Sequence, residues 1–323
     1  NNTADPGPSA GRLPTDPFLI NGPTLNRALL DQIYPPGALY RNTGIVIFDS
    51  PDRQQPWAHQ ATIGYALELT PTIAVNADYI HAANRDMFLA RNLNPMVRAN
   101  TSRTGPITRV DAFGVLGEVY NERVWVMENT GDNDYDALDL SFEKRYANNW
   151  SGRISYSLSK SRGTGESQND TNTYQVLTDL KLDKWDAPSS VDRRHILSIN
   201  GRTEIPKTRG VILTSTVRYM SGSPFTIFDT NVDVNQNGEL NDPLPAGVYN
   251  STASVRGLQN VESKGGRNGA RGPDFFEVDL RVTYAIRVRS SQRLQLFGEI
   301  FNLTDRVNFI NPPGDSRLSS FLV

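Results

Sequence analysis

Cysteine is absent from the 323 residues, so the chain has no disulfide framework, no thiolate nucleophile and no cysteine-type zinc site. Histidine is scarce: His59, His81 and His195 stand far apart, and no pair has metal-ligand spacing. No apolar run reaches the roughly 18 residues a membrane-crossing helix needs. Neither sign of charge dominates, with 33 Lys and Arg against 35 Asp and Glu. The basic residues are dispersed, without an aromatic-interleaved patch, so nucleic acid is not an expected partner. No serine sits in a G-x-S-x-G elbow and no nucleophile–base set is visible, so no enzyme activity is expected. The first residues, Asn1–Pro6, do not read as a signal peptide. A mean hydropathy of −0.46 does not argue against a membrane, because a barrel strand offers lipid only every second residue.

What the chain has instead is long alternation of period two. Trp57, His59, Ala61, Ile63, Tyr65, Leu67 and Leu69 share one parity, with Gln60, Thr62 and Glu68 between them. After Thr70-Pro71-Thr72 a second run places Ile73, Val75, Ala77 and Tyr79 on one face. Such a pair of runs around a short turn predicts a β-hairpin. The pattern recurs around Asn148-Asn149, where Leu138, Leu140, Phe142 and Tyr146 are followed by Trp150, Ile154, Tyr156 and Leu158. A third hairpin joins His195–Ile205 to Val211–Ser221. In the fourth, Phe276 to Val288 alternate with Glu277, Asp279, Arg281 and Arg287 before the chain returns through Leu294, Leu296 and Ile300. A further pair around Ile107–Tyr120 and Glu122–Asn129 has muddled parity. The total is about eight to ten strands, and the one place for a short helix is Leu25–Ile33.

Alternation alone fits a soluble sandwich as well as a barrel in lipid. Strand length separates them. Runs of about 11–14 residues exceed the five or six usual in globular sheets and, tilted, cross a bilayer core of about 30 Å. Loop asymmetry points the same way, with short turns on one side and the stretches 84–106, 163–193 and 222–274 on the other. Tyr146 and Trp150 beside a short turn would form part of an aromatic girdle on the apolar face. The fold expected is therefore all-β, an antiparallel up-and-down transmembrane β-barrel. Residues 51–310 would form its hairpins, 1–50 an extracellular segment with little regular structure, and 311–323 a terminal loop or truncated last strand.

Several stretches carry a resemblance. The run Leu296–Phe309 (LFGEIFNLTDRVNF) resembles the penultimate strand and "FNL" box of TonB-dependent outer-membrane receptors. Tyr135–Ser161 is similar to a hairpin of their Oar-like subgroup, and the opening Gln55–Thr70, Asp192–His195 (DRRH) and Ser221–Thr226 (SGSPFT) fit the same subgroup in order. The resemblance implies a barrel of about 22 strands, a plug filling it, and a TonB box that engages the TonB–ExbB–ExbD complex. It also implies energised uptake in the outer membrane of a Gram-negative cell, with outer-membrane lipid and the barrel-assembly machinery as partners. No plug and no TonB box are recognisable in these residues, so the chain reads as part of such a barrel. A passive porin or adhesion-type barrel without a plug is the alternative.

One motif suggests a ligand. Within Asp229–Asp242, the residues Asp233, Asn235, Asn237 and Gly238 hold positions 1, 3, 5 and 6 of a calcium loop, where alternating oxygen donors and a glycine turn are needed. Position 12 is Leu244, and Asp242 is the carboxylate placed to substitute. The alternative is a polar loop rich in turn residues. The run Lys264–Gly272 lacks Walker spacing and reads as a flexible loop entering a strand. Charges of both signs on the polar faces, from Asp139 to Glu299, read as lumen wall.

Overall fold

The computed structural model describes residues 46–92, 96–109, 124–164, 176–177, 186–208, 210–253, 257–289 and 292–323. Among them there is no helix, and the segment 25–33 lies outside them. Eight strands form the wall: β1 (Trp57–Thr70), β2 (Ile73–Asn92), β3 (Val124–Ala147), β4 (Trp150–Gly163), β5 (His195–Glu204), β6 (Val211–Met220), β7 (Phe275–Arg289) and β8 (Gln292–Ile300). Each pairs antiparallel with the next in sequence, so the sheet is a pure meander. The described strands do not close: β1 and β8 each have a wall neighbour on one side only.

Register shows how alternation becomes two faces. Leu67, Val75, Phe142, Ile154, Ile199, Val217 and Val278 lie opposite one another in an unbroken apolar row from β1 to β7. One residue along each of β2 to β7 lies a polar row of Asn76, Ser141, Ser155, Ser198, Arg218 and Glu277. A slip of one residue anywhere would exchange the rows, so the pattern itself fixes the pairing. The outer residues are left uncovered. Ile63 is 74% exposed and Leu296 56%, an arrangement that water would penalise and hydrocarbon would not.

The short turns use backbone states that their residues tolerate. Asn148 and Asn149 both have positive φ, 55° and 67°, as a two-residue hairpin of matching twist requires. A bulge sits just before them, between Lys144 and Ala147. It corrects one expectation, because the extra residue reverses parity and turns Tyr146 away from the apolar face. The ring lies under the Arg202 guanidinium, 5.2 Å from its centroid, on the polar side. Lys144 instead occupies the outer rim, its Nζ 4.2 Å over the Trp150 ring and donating to the carbonyls of Ala147 (2.7 Å) and Trp150 (3.0 Å).

At the other end the wall differs from the sequence reading in three places. β2 continues to Asn92, so the connection expected at 84–106 starts later, and 96–98 pairs with 107–109 as a small hairpin. Val124–Asn129 is not a separate strand but the start of β3, while 110–123 lie outside the described residues. The overhang persists because Phe88, Ala90, Trp125 and Met127 bury one another, flanked by Val46–Asp49 and Val176–Leu177 pairing alongside. Third, the described residues of 222–274 include four short strands that form one small sheet, at 224–225, 247–249, 261–263 and 270–271. Lys264–Gly272 is thus a structured turn, with Gly265 and Gly266 at φ 73° and 76°.

The two faces should tolerate charge differently. Val282→Arg, on the outer row, is expected to destabilise by roughly 2–4 kcal/mol near the midplane. Arg281→Ala removes only an exposed pair with Glu299 (3.2 Å) and a stack on Phe297, and should cost no more than about 1 kcal/mol. Reversible urea unfolding in lipid vesicles measures both, and equal costs would contradict the assignment of faces.

Candidate functional site

Two surfaces can meet a solute: the inner wall and the cap of long connections at its mouth. The inner wall is polar because β4 places Ser151, Arg153, Ser155, Ser157, Ser159 and Ser161 on one parity. Several charges there are paired, across strands or along one. Arg218 Nη2 reaches Glu277 (2.9 Å) and Asp279 (3.1 Å), and Arg202 reaches Glu204 (2.7 Å). Asp78 and Asp139 are an exception, two carboxylates directly opposite one another on β2 and β3. Like charges so placed repel, and Asp139 Oδ1 has no hydrogen-bond partner although it is shut off from solvent. Asp78 is able to lean over β1 because position 64 is glycine, where an added Cβ would overlap its carboxylate.

The cap is built from three pieces of chain, the hairpin around 96–109, the stretch 222–274 and residues 311–323. Its apolar centre is Phe225, Ile227, Ala270, Phe321 and Leu322, all buried. These apolar contacts help offset the entropy of ordering the cap. Residues 311–323 form no strand. They run through the cap, where Phe228 N donates to Gly314 O (2.9 Å) and Leu258 N to Leu322 O (2.7 Å). The sequence signal was faint: Phe225 and Ile227 flank Thr226 with strand spacing, but their partners lie far along the chain.

The residues singled out for calcium are brought together around Asp233, which is fully buried. Its Oδ1 accepts from Asn237 N (2.9 Å), and its Oδ2 from Gly238 N (2.7 Å) and from Arg98 Nε (2.9 Å). Asn235 N donates to Asp242 (3.2 Å), and Gly238 has the positive φ, 84°, that the sharp turn needs. Sequence reasoning missed Arg98, which lies on the distant hairpin and is 3% exposed. Its remaining donors go to the carbonyls of Arg103 (2.7 Å), Gly105 (3.0 Å) and Gly238 (3.1 Å). One guanidinium thus ties two cap segments together and supplies the positive charge Asp233 requires. Burial pushes Asp242 up to about 6, opposed by the Asn235 N–H and reinforced by the nearby Asp233 charge. Among the described residues no group of three or more His, Cys, Asp or Glu side chains is arranged to hold a metal.

His195, the last residue of the DRRH stretch, stands at the start of β5 opposite Leu158, on the outer parity, with Nδ1 2.8 Å from the Tyr156 hydroxyl. It belongs to the rim.

These features meet a known family: the outer membrane beta barrel domain matches residues 4–321. The chain belongs to that family. No curated protein sequence matches it. Among solved structures, the outer membrane transporter YddB from Escherichia coli is 14% identical with a TM-score of 0.48, over 82% of this chain and 31% of that one. The FrpB iron transporter from Neisseria meningitidis (F3-3 variant) is 14% identical with a TM-score of 0.41, over 86% and 30%. The chain thus spans less than a third of either structure's length. The outer rows of this outer-membrane barrel face lipid and the inner rows its lumen.

The cap yields two expectations. Arg98→Ala leaves Asp233 buried without its partner, a loss of about 3–5 kcal/mol. Hydrogen exchange should show it as lost protection across 224–249 with the wall amides unchanged. The second follows from Asp242, whose folded value of about 6 lies above its ordinary 3.8. A raised carboxyl stabilises below the ordinary value, and this is lost as pH rises through the folded value. Cap protection, corrected for intrinsic exchange, should therefore fall between about pH 4 and 6, and Asp242→Asn should flatten that slope.

Proposed function

We propose that this chain forms wall and extracellular cap of a TonB-dependent transporter of the Oar-like type, taking up a solute with energy from the inner membrane. The observation that carries the reading is the inner wall: a continuous polar surface that includes the opposed Asp78 and Asp139, facing a space that must hold water or protein. The motifs at Tyr135–Ser161 and Leu296–Phe309 support the choice of a plugged, energised barrel. In this proposal further strands join the open edges at β1 and β8, and a plug with a TonB box engages TonB–ExbB–ExbD. The barrel-assembly machinery inserts the whole. For Asp229–Asp242 we propose calcium only as a weak ligand sharing Asp233 with Arg98, at about 10⁻⁴–10⁻³ M. Calorimetric heat lost in Asp233→Ala supports it, and no heat at millimolar calcium leaves Arg98 as the sole counter-charge.

The full-length protein in planar bilayers tests the main proposal, together with capture of the purified periplasmic domain of TonB. No steady conductance and specific capture are expected. A constantly open channel that ignores TonB would replace transport with passive diffusion.

A further inference from the structure

One cleft has a volume of about 1060 Å³. It lies between the upper end of β4 and the cap strands at 247–249 and 261–271, and its floor includes Lys160 and Arg162. Parity places both on the outer face, since no register shift interrupts β3–β4 pairing from Gly152 to Gly163. Reading up that column, Ile154, Tyr156 and Leu158 face hydrocarbon, and Lys160 and Arg162 come next. Two residues of strand rise about 7 Å untilted, which sets these cations just above the acyl chains, at the level of lipid headgroups.

The cleft is cationic. Lys160, Arg162, Arg194, Lys264, Arg267 and Arg271 line it. Of its three carboxylates, Asp192 is taken by Arg271, and Asp186 by Arg162 at 2.8 Å. Glu262 is left to face Lys160, Arg194 and Lys264. Outside the cleft, Asp136 lies across from Lys160, but it already accepts from the Tyr79 hydroxyl (2.7 Å) and lies 2.8 Å from His81 Nδ1. Lys160, Arg194 and Lys264 are exposed and have no ion pair within 4.0 Å among the described residues. Arg267 leans on the carbonyl of Gly163 at 2.5 Å, which fixes its head beside the cleft.

We propose that this cleft binds a phosphate-bearing lipid headgroup of the outer leaflet, with the acyl chains lying along Ile154, Tyr156 and Leu158. Charge complementarity selects the phosphate, and continuity with the lipid-facing column selects a lipid over a soluble anion. A transported solute would meet the opposite face of β4, where the serines are. The inference uses the chain's place in an outer-membrane barrel and is independent of whether transport is energised.

Native mass spectrometry of the full-length protein in detergent, titrated with diphosphoryl lipid A and with its dephosphorylated form, tests this. The phosphorylated lipid should bind preferentially, and Lys160→Gln combined with Lys264→Gln should weaken it about thirtyfold. Lys207→Asn, at a short turn on the far side of the wall, should leave binding unchanged and controls for loss of net charge. Retained heat-modifiable migration of each variant shows that the barrel has folded. Equal binding of the dephosphorylated lipid, or indifference to the double substitution, overturns the proposal. Displacement of the lipid by millimolar inorganic phosphate would overturn it too, in favour of a soluble-anion site.

Discussion

Everything in this molecule depends on the backbone hydrogen-bond ladder of a sheet standing in a medium without water. Each unpaired N–H or C=O in hydrocarbon costs several kcal/mol, so strands must be long, antiparallel and joined neighbour to neighbour. The meander from β1 to β8 obeys that demand without a crossover. Once the ladder is set, side chains can only alternate, and the unbroken row from Leu67 to Val278 is the direct consequence. The same demand explains why the open edges at β1 and β8 call for further strands. An edge in lipid has nothing else to bond with.

Where the wall leaves lipid, the chemistry changes within a residue or two. Below, the bulge at Lys144–Ala147 spends one residue to bring a lysine over Trp150 and onto the turn carbonyls. Above, apolar Leu158 gives way to Lys160 in a single step of the column. Beyond that level, water permits irregular backbone, and the cap forms from three distant pieces held by an apolar centre and the Arg98–Asp233 pair. The pair is expensive to bury. It contributes specificity, because Arg98 reaches Asp233 and the carbonyls of both cap segments together.

The legible part of this fold was the part governed by period two. Phe276 to Ile286 could be assigned to faces residue by residue, and the register agrees. Tyr146 was misplaced because parity arguments count residues and a bulge adds one. The overhangs of β2 and β3 escaped notice because their outer ends, from Met87 to Asn92 and Trp125 to Met127, are buried with little alternation. In the cap, Asp233 was picked out by the spacing of its own loop. Its partner Arg98 was not, since no local pattern announces a contact across 135 positions. The apolar residues Phe321 and Leu322 looked like the ragged end of a strand for the same reason.

The central claim is that one parity of each wall strand faces lipid and the other the lumen. A chain without cysteine allows this to be read position by position. Single cysteines from Phe276 to Val282 on β7, spin-labelled in lipid vesicles, can be scored for collision with dissolved oxygen and with a water-soluble nickel chelate. The account predicts that oxygen accessibility peaks at 276, 278, 280 and 282 and nickel accessibility at 277, 279 and 281. Nickel reaching both parities alike would contradict it and leave a soluble sheet.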